Sequence, residues 1–358
     1  MIKKLDWYLI KKFVGTFVYA LLIMAVIASV IDYSEKVKDF VKHKPTTMDV
    51  LGYYQNFIPH IIALLFALFI FIATIFFTSK LAYKSEIIAI LATGASFNRF
   101  LRPYFIGGGF LCILFLIANH WFIPKANKKR IDFENNFVHE KVSYSDHNVH
   151  LRLSPNLYVY VQNYDYTTNT GFRFSSEKVD GILLLEKTTA ERVSYDSVKK
   201  IWTLYNVVVR KNDGLKEDLK LLPELKVAYP FVPKDLYEDD AVKETLTTPE
   251  LNQYIEREKL RGRESLNVYY IEKYRRTAQP AAGFILVIIG ACIASTKVRG
   301  GSGLHLAIGI LVSAIYMLLL QLSQTFSIKA ELNPLIAVWI PNFIFGVIAF
   351  VLYRKQVT

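Results

Sequence analysis

Six uncharged apolar runs, each about as long as a helix needs to cross a ~30 Å hydrocarbon layer, constrain this chain more than any other feature. They lie at 13–31, 57–79, 103–124, 278–296, 304–328 and 332–353. In lipid every peptide group must be satisfied within the segment or by a closed barrel, so runs of this length predict six membrane-spanning helices. Between the third and fourth runs, residues 125–277 read as water-soluble. A chain that is 53% hydrophobic yet carries a net charge of +12 must keep those properties in separate places, and this division does so. The predicted organisation is spans one to three within 1–124, an inserted β domain with a connecting helix within 125–277, and spans four to six within 278–358.

Charge in the short loops predicts orientation. With the N-terminus in the cytoplasm, Lys3, Lys4, Lys11, Lys12, Lys80, Lys84, Arg99, Arg102, Lys297, Arg299, Arg354 and Lys355 all fall inside. The short outer loops then keep Lys36, Lys38, Lys42, Lys44 and Lys329, diluted by Asp32, Glu35, Asp39, Asp49 and Glu331. Both termini are expected inside and the insert outside the cytoplasm. The first run is longer than a signal-peptide core and continues into Asp32-Tyr33-Ser34-Glu35, so it reads as a retained span. Cys112 and Cys292 both fall within spans, where they read as packing residues rather than as a staple for the insert. The positive charge belongs to membrane-flanking loops, and no nucleic-acid partner is expected.

Within the insert, apolar and polar residues alternate with a period of two from about 149 to 210, as half-buried strands do. Runs begin at Leu157-Tyr158-Val159-Tyr160-Val161, Phe172-Arg173-Phe174, Gly181-Ile182 and Ile201-Trp202, with turn residues at Asn169-Thr170-Gly171 and Asn212-Asp213-Gly214. Several short strands rich in β-branched and aromatic residues predict a sandwich or jelly roll. Further on, Thr247-Thr248-Pro249-Glu250 has the form of a helix start. Leu251, Tyr254, Ile255 and Glu258 follow at helical spacing, in a segment expected to lead back to the fourth span by about Arg276.

The cytoplasmic segment 80–102 is the one inner loop long enough to make contacts of its own. Its part from Ser85 to Thr93 suits a short amphipathic helix, either lying at the membrane interface or entering a groove on a partner. No G-x-x-x-x-G-K-[ST] phosphate loop occurs: Gly300-Gly301-Ser302-Gly303 has no Lys-Ser or Lys-Thr after it. There is no H-E-x-x-H or C-x-x-C, and the seven histidines lack metal-ligand spacing, so no metal or cofactor is expected. His60 and His120 lie inside or at the edge of spans, where a proton relay is one reading and a solvated or interfacial histidine is the simpler one.

Three stretches sharpen the picture. Ser85-Glu86-Ile87-Ile88-Ala89-Ile90-Leu91-Ala92-Thr93-Gly94 lies between spans two and three, Arg275-Arg276-Thr277-Ala278-Gln279-Pro280 opens the fourth span, and Asn333-Pro334-Leu335-Ile336-Ala337-Val338-Trp339-Ile340-Pro341-Asn342 opens the sixth. In this order on a 3+3 topology, the whole chain resembles the LptF/LptG permease family. The resemblance implies an α-helical membrane protein with six transmembrane helices and an inserted periplasmic β-jelly-roll domain. It implies a non-catalytic permease subunit of an ABC transporter that extracts lipopolysaccharide from the inner membrane of Gram-negative bacteria and passes it to a periplasmic jelly-roll bridge. A permease for another lipid or for a lipoprotein is the alternative. The implied partners are a cytoplasmic LptB-type ATPase dimer, a second LptF/LptG-type permease, LptC/LptA-type jelly-roll proteins, lipopolysaccharide and membrane lipids.

The resemblance also assigns roles. Ser85, Glu86, Ile87, Ile88, Leu91 and Gly94 would form the helix that couples to the ATPase, with Glu86 facing basic groups and Ile87 and Ile88 filling a groove. The first and fifth spans would be the gate elements. Lys36, Lys38 and Lys42 would supply cations at the rim of the lipid-head site. Some family members carry a basic residue at the end of the first span, where this chain has Asp32-Tyr33. Leu157, Val159 and Val161, or the opposite strand face, would line an acyl-chain groove.

Overall fold

A computed structural model describes residues 3–138, 148–165, 168–213, 216–236, 241–260, 266–298 and 302–357. The turn glycine Gly214 and the loop residues Arg299, Gly300 and Gly301 lie outside the described residues. The chain forms two compact units, a helical one (Met1–Glu134, Lys243–Leu251, Asn267–Thr358) and a β unit (Asn135–Val242, Asn252–Leu266).

In the helical unit the apolar runs lie inside longer helices: α1 (Lys4–His43), α2 (Thr47–Tyr83), the short α3 (Glu86–Ala92), and α4 (Phe97–Ile117), which passes through a π-helical turn (Ala118–Phe122) into α5 (Ile123–Phe137). After the β unit come α6 (Val242–Thr245), α7 (Thr248–Leu260), α8 (Asn267–Ala294), α9 (Ser302–Lys329) and α10 (Pro334–Val357). Six helices are long and apolar enough to cross a membrane. At ~1.5 Å per residue a helix of 40 residues reaches about 60 Å, so α1 runs well past a ~30 Å hydrocarbon layer. The third span likewise continues as α5, because Ile131 and Phe133 keep an apolar face buried after the charges begin.

Span α8 is the most buried of the six and α1 the least. Lipid is as apolar as the helix surface, so spans associate through close packing and buried polar contacts. Small residues of α8 provide the first: a Cβ on Gly283 would lie 2.8 Å from the Phe66 ring of α2, and one on Gly290 would lie 3.1 Å from Phe71.

The β unit contains β1 (Val149–Ser154), β2 (Leu157–Asp165), β3 (Thr170–Asp180), β4 (Leu183–Asp196), β5 (Ile201–Asp213) and β6 (Lys216–Val227). They pair antiparallel in sequence order as one six-stranded sheet. A crease crosses this sheet. The cross-strand register passes over Gln162, Arg173, Glu191, Asn206 and Pro223, which lie side by side on β2 to β6. Arg173 and Asn206 have positive φ (51° and 52°), and the inward phase changes at the line. On one side Val161, Phe174, Ala190 and Val207 point inward; on the other, Tyr164, Val193, Trp202 and Leu204 do. Moving the pattern by one residue would ordinarily turn a strand inside out. Here the local twist at the crease turns it back, so both halves place their apolar side chains in one core. The expected sandwich or jelly roll is thus a single sheet folded on itself. Pro223, which cannot donate to a ladder, sits on edge strand β6 at the crease.

Candidate functional site

The segment between the second and third spans folds as a compact elbow. Ser85, in a left-handed conformation (φ 61°), breaks α2 from α3, and Gly94 (φ 82°) ends α3 as its amide donates to the Leu91 carbonyl at 3.0 Å. Lys297, three residues past the end of α8, donates to the Ser85 hydroxyl at 2.8 Å. Ile87 is buried (2% exposed) in the core with Leu81, Phe97 and Phe100. It anchors the elbow to its own bundle, which corrects the expectation that it fills a groove on a partner. Ile88 and Leu91 are the exposed large apolar residues of α3, and Glu86 stands in its first turn. Beside them a cavity of about 310 Å³ is lined by Ile87, Leu91, Ser96, Phe97, Asn98, Ser295 and Gln356.

The three lysines outside the first apolar run differ. Lys36 is half-buried, with its ammonium 2.7 Å from Asp32 and 2.7 Å from Glu134, and it also donates to the Tyr53 hydroxyl. Two carboxylates thus hold the ammonium that the resemblance would place at the lipid-head rim. Asp32 accepts from Tyr53 at 3.0 Å and from Tyr54 at 3.2 Å. Lys38 and Lys42 are exposed.

The Lys36 contacts continue through the bundle. The second oxygen of Glu134 accepts from Arg130 at 2.8 Å, Arg130 lies 3.8 Å from Glu244, and Glu244 lies 3.9 Å from His60. Glu272, Arg275 and Arg276 extend it on α8, with Arg276 donating to Glu272 at 3.0 Å, to Thr248 at 3.1 Å and to the Lys243 carbonyl at 3.1 Å. His120 in the π turn pairs with Thr248 at 2.7 Å. His60 and His120 are therefore half-buried members of this network. Ionisable groups among apolar spans are expensive and persist when paired, and the alternating signs here supply the pairs.

Two of the quoted stretches meet in space. Pro280 cannot bond to the Arg276 carbonyl, and Asn119 donates to that carbonyl at 3.5 Å. Pro341 similarly leaves the Ala337 carbonyl, which accepts from Ser323 at 2.5 Å. Asn342 then joins the two breaks, donating to the Ala278 carbonyl at 2.8 Å and accepting from Tyr316 at 2.9 Å. Prolines are tolerated in spans where neighbouring helices re-satisfy the freed groups in this way.

In the β unit, Val159 and Val161 face inward and are buried, and Leu157 is half-buried in the same phase. The interior holds a cluster of buried side chains. Trp202 is fully buried with Tyr164, Val193 and Leu204 around it, and Phe231, from the segment after β6, stacks on it at 4.6 Å. Burial raises the Tyr229 phenol's pKa, so the group stays neutral beside Ser176. The sequence reading missed Glu134, Arg130 and Tyr53. The signal for the first two was the i,i+4 spacing of Arg130 with Glu134, like that of Asp32 with Lys36 and Glu272 with Arg276; Tyr53 carries no such mark.

No curated protein matches the chain in sequence. The family model described as lipopolysaccharide export system permease LptF/LptG matches residues 7–355, nearly the whole chain, so this multi-pass membrane protein belongs to the LptF/LptG permease family.

Proposed function

We propose that this chain is one half of an ABC-type lipopolysaccharide exporter, driven by a separate LptB-type ATPase dimer and paired with a second LptF/LptG-type permease. Both termini lie in the cytoplasm and the β domain lies in the periplasm, following the lysine and arginine bias of the short loops. The chain itself is non-catalytic. It passes lipid to periplasmic jelly-roll proteins of the LptC/LptA type.

The elbow at 85–94 carries this reading. One side of α3 is fixed to the bundle by Ile87, and Glu86, Ile88 and Leu91 remain for a partner. A helix held in this way transmits a push to α2 and α4 instead of absorbing it. The low burial of α1 and α9 supports their assignment as gate elements facing lipid or the second permease. Lys38 and Lys42 retain the rim role for the anionic head group, whereas Lys36 serves the network that holds α1. The inward face containing Leu157, Val159 and Val161 is the acyl-chain face.

Glu86→Lys and Ile88→Asp in the reconstituted complex test the coupling. Each is expected to lower ATPase association and lipid release at least tenfold; normal assembly and release in both would overturn the role of α3. Orientation is tested by labelling Lys199→Cys in intact inner-membrane spheroplasts with an impermeant maleimide. Protection from label there, with reaction after permeabilisation, would reverse the assigned topology.

A further inference from the structure

The segment from Tyr229 to Leu236 follows the last strand pair, Trp202 with Val227, yet returns its side chains to the inside of the folded sheet. It touches both halves across the crease. On the Phe174 side, the Tyr229 hydroxyl bonds to Ser176 at 2.8 Å and its ring lies 5.5 Å from Phe174. On the Trp202 side, the Phe231 ring stacks on the indole at 4.6 Å, and the indole N–H donates to the Phe231 carbonyl at 2.9 Å. Leu236, on a short 3₁₀ turn (Pro233–Leu236), is buried (1% exposed) in the same cluster.

We infer that this strap is a clasp, an internal stand-in for the acyl chain that the β domain carries, which lipid must displace to occupy the interior. The inference rests on the acyl-carrying role given above to the β domain. Three observations carry it. The strap is joined to the core by side chains beyond the end of strand pairing, so it can leave without unzipping a ladder. Its buried groups are an aromatic ring and a branched aliphatic chain, so hydrocarbon in their place strands no charge, and the buried groups that lose a partner are neutral ones, the Trp202 indole N–H and the Ser176 hydroxyl. Because Tyr229 and Phe231 grip opposite sides of the crease, their departure frees the two halves to open, and the positive-φ residues Arg173 and Asn206 lie on that line.

The test uses the full permease in its complex, reconstituted in proteoliposomes, with Trp7, Trp121 and Trp339 changed to Phe so that Trp202 is this chain's one tryptophan, and its signal is the difference from the same complex carrying Trp202→Phe. The probe is lipopolysaccharide bearing brominated acyl chains, which quench an indole at close range. ATP is expected to produce quenching in the parent. Phe231→Ala is expected to speed its onset about fivefold or more, and Tyr229→Phe, which keeps the ring and loses only the Ser176 bond, about twofold. If quenching occurs at the parental rate in both variants, the clasp is wrong while acyl carriage by the β domain stands. If no quenching occurs in any form although lipid is exported, the carrying role fails and the clasp fails with it. Should Phe231→Ala not fold, Tyr229→Phe with Ser176→Ala decides the same question.

Discussion

Among the helices, Lys36, Glu134 and Arg130 lie largely buried, each bonded to a group of opposite charge, while inside the folded sheet Tyr164, Val193, Trp202 and Leu204 are buried among rings and aliphatic chains. The first arrangement is directional. Lys36 with Glu134 fixes α1 to α5 at a set height, and Arg130 holds the same carboxylate from within α5, since a displaced partner leaves a charge stranded in a poor solvent for it. The second is non-directional, and apolar contents can be exchanged for others of similar volume at modest cost. The proposed function needs both: helices that keep their relations while being pushed, and an interior that accepts a guest.

The hardest test of this contrast is Glu134→Ala, which removes one carboxylate from Lys36 and Arg130 together. Breaking a buried pair on one side costs about 3–5 kcal/mol, and the loss should appear as a lower midpoint of thermal unfolding in nanodiscs. The exposed pair Lys187 with Glu177, at 2.7 Å on the sheet surface, is the control, because exposed pairs contribute about 0–1 kcal/mol. Equal effects of Glu134→Ala and Glu177→Ala would mean that the helical network does not lock α1.

Trp202→Phe examines the other interior. The ring remains, but the indole N–H that serves the Phe231 carbonyl is lost, and an unmet buried acceptor costs about 1–3 kcal/mol. Faster amide exchange in β5 of the full-length chain would report it; no change would show that stacking alone holds the strap. A smaller loss of about 1–2 kcal/mol is expected for Asn206→Val, since a β-branched residue is strained at φ 52°. Asn206→Gly, which also loses the 2.7 Å bond to Glu191, separates the backbone effect from the side-chain one. If Gly costs as much as Val, the crease depends on that bond and not on the turn of the backbone.

The spans were legible because a hydrocarbon layer asks for one thing, an uninterrupted apolar run. Their ends were not, since α1, α5 and α8 continue into water-compatible sequence on the strength of buried faces that a charge count ignores. Alternation revealed the strands but concealed the crease: a change of inward phase at Asn206 or Glu191 looks like an irregularity unless five neighbouring strands are seen to share it. At the elbow, Glu86 and Gly94 were readable from local chemistry. The burial of Ile87 and the capture of Lys36 by Glu134, 98 residues away, depend on tertiary placement and carry no local mark.

The smallest effect concerns the start of α7, where the sequence signature and the structure agree. Thr247 donates to Glu250 from its amide at 2.8 Å and from its hydroxyl at 2.6 Å, and the hydroxyl bond first, then the amide bond, lowers the Glu250 pKa below its usual 4.5. Because the folded value is depressed, the contribution is fully present above the ordinary carboxylate range and is lost as pH falls through the lowered value. Glu250 is exposed, and solvent screening keeps the effect small. Thr247→Ala should cost about 1 kcal/mol of local stability at neutral pH, read from amide exchange at residues 248–251. Glu250→Gln should remove the acid dependence of that exchange while leaving α7 formed, and persistence of the acid dependence in this variant would assign it to another group.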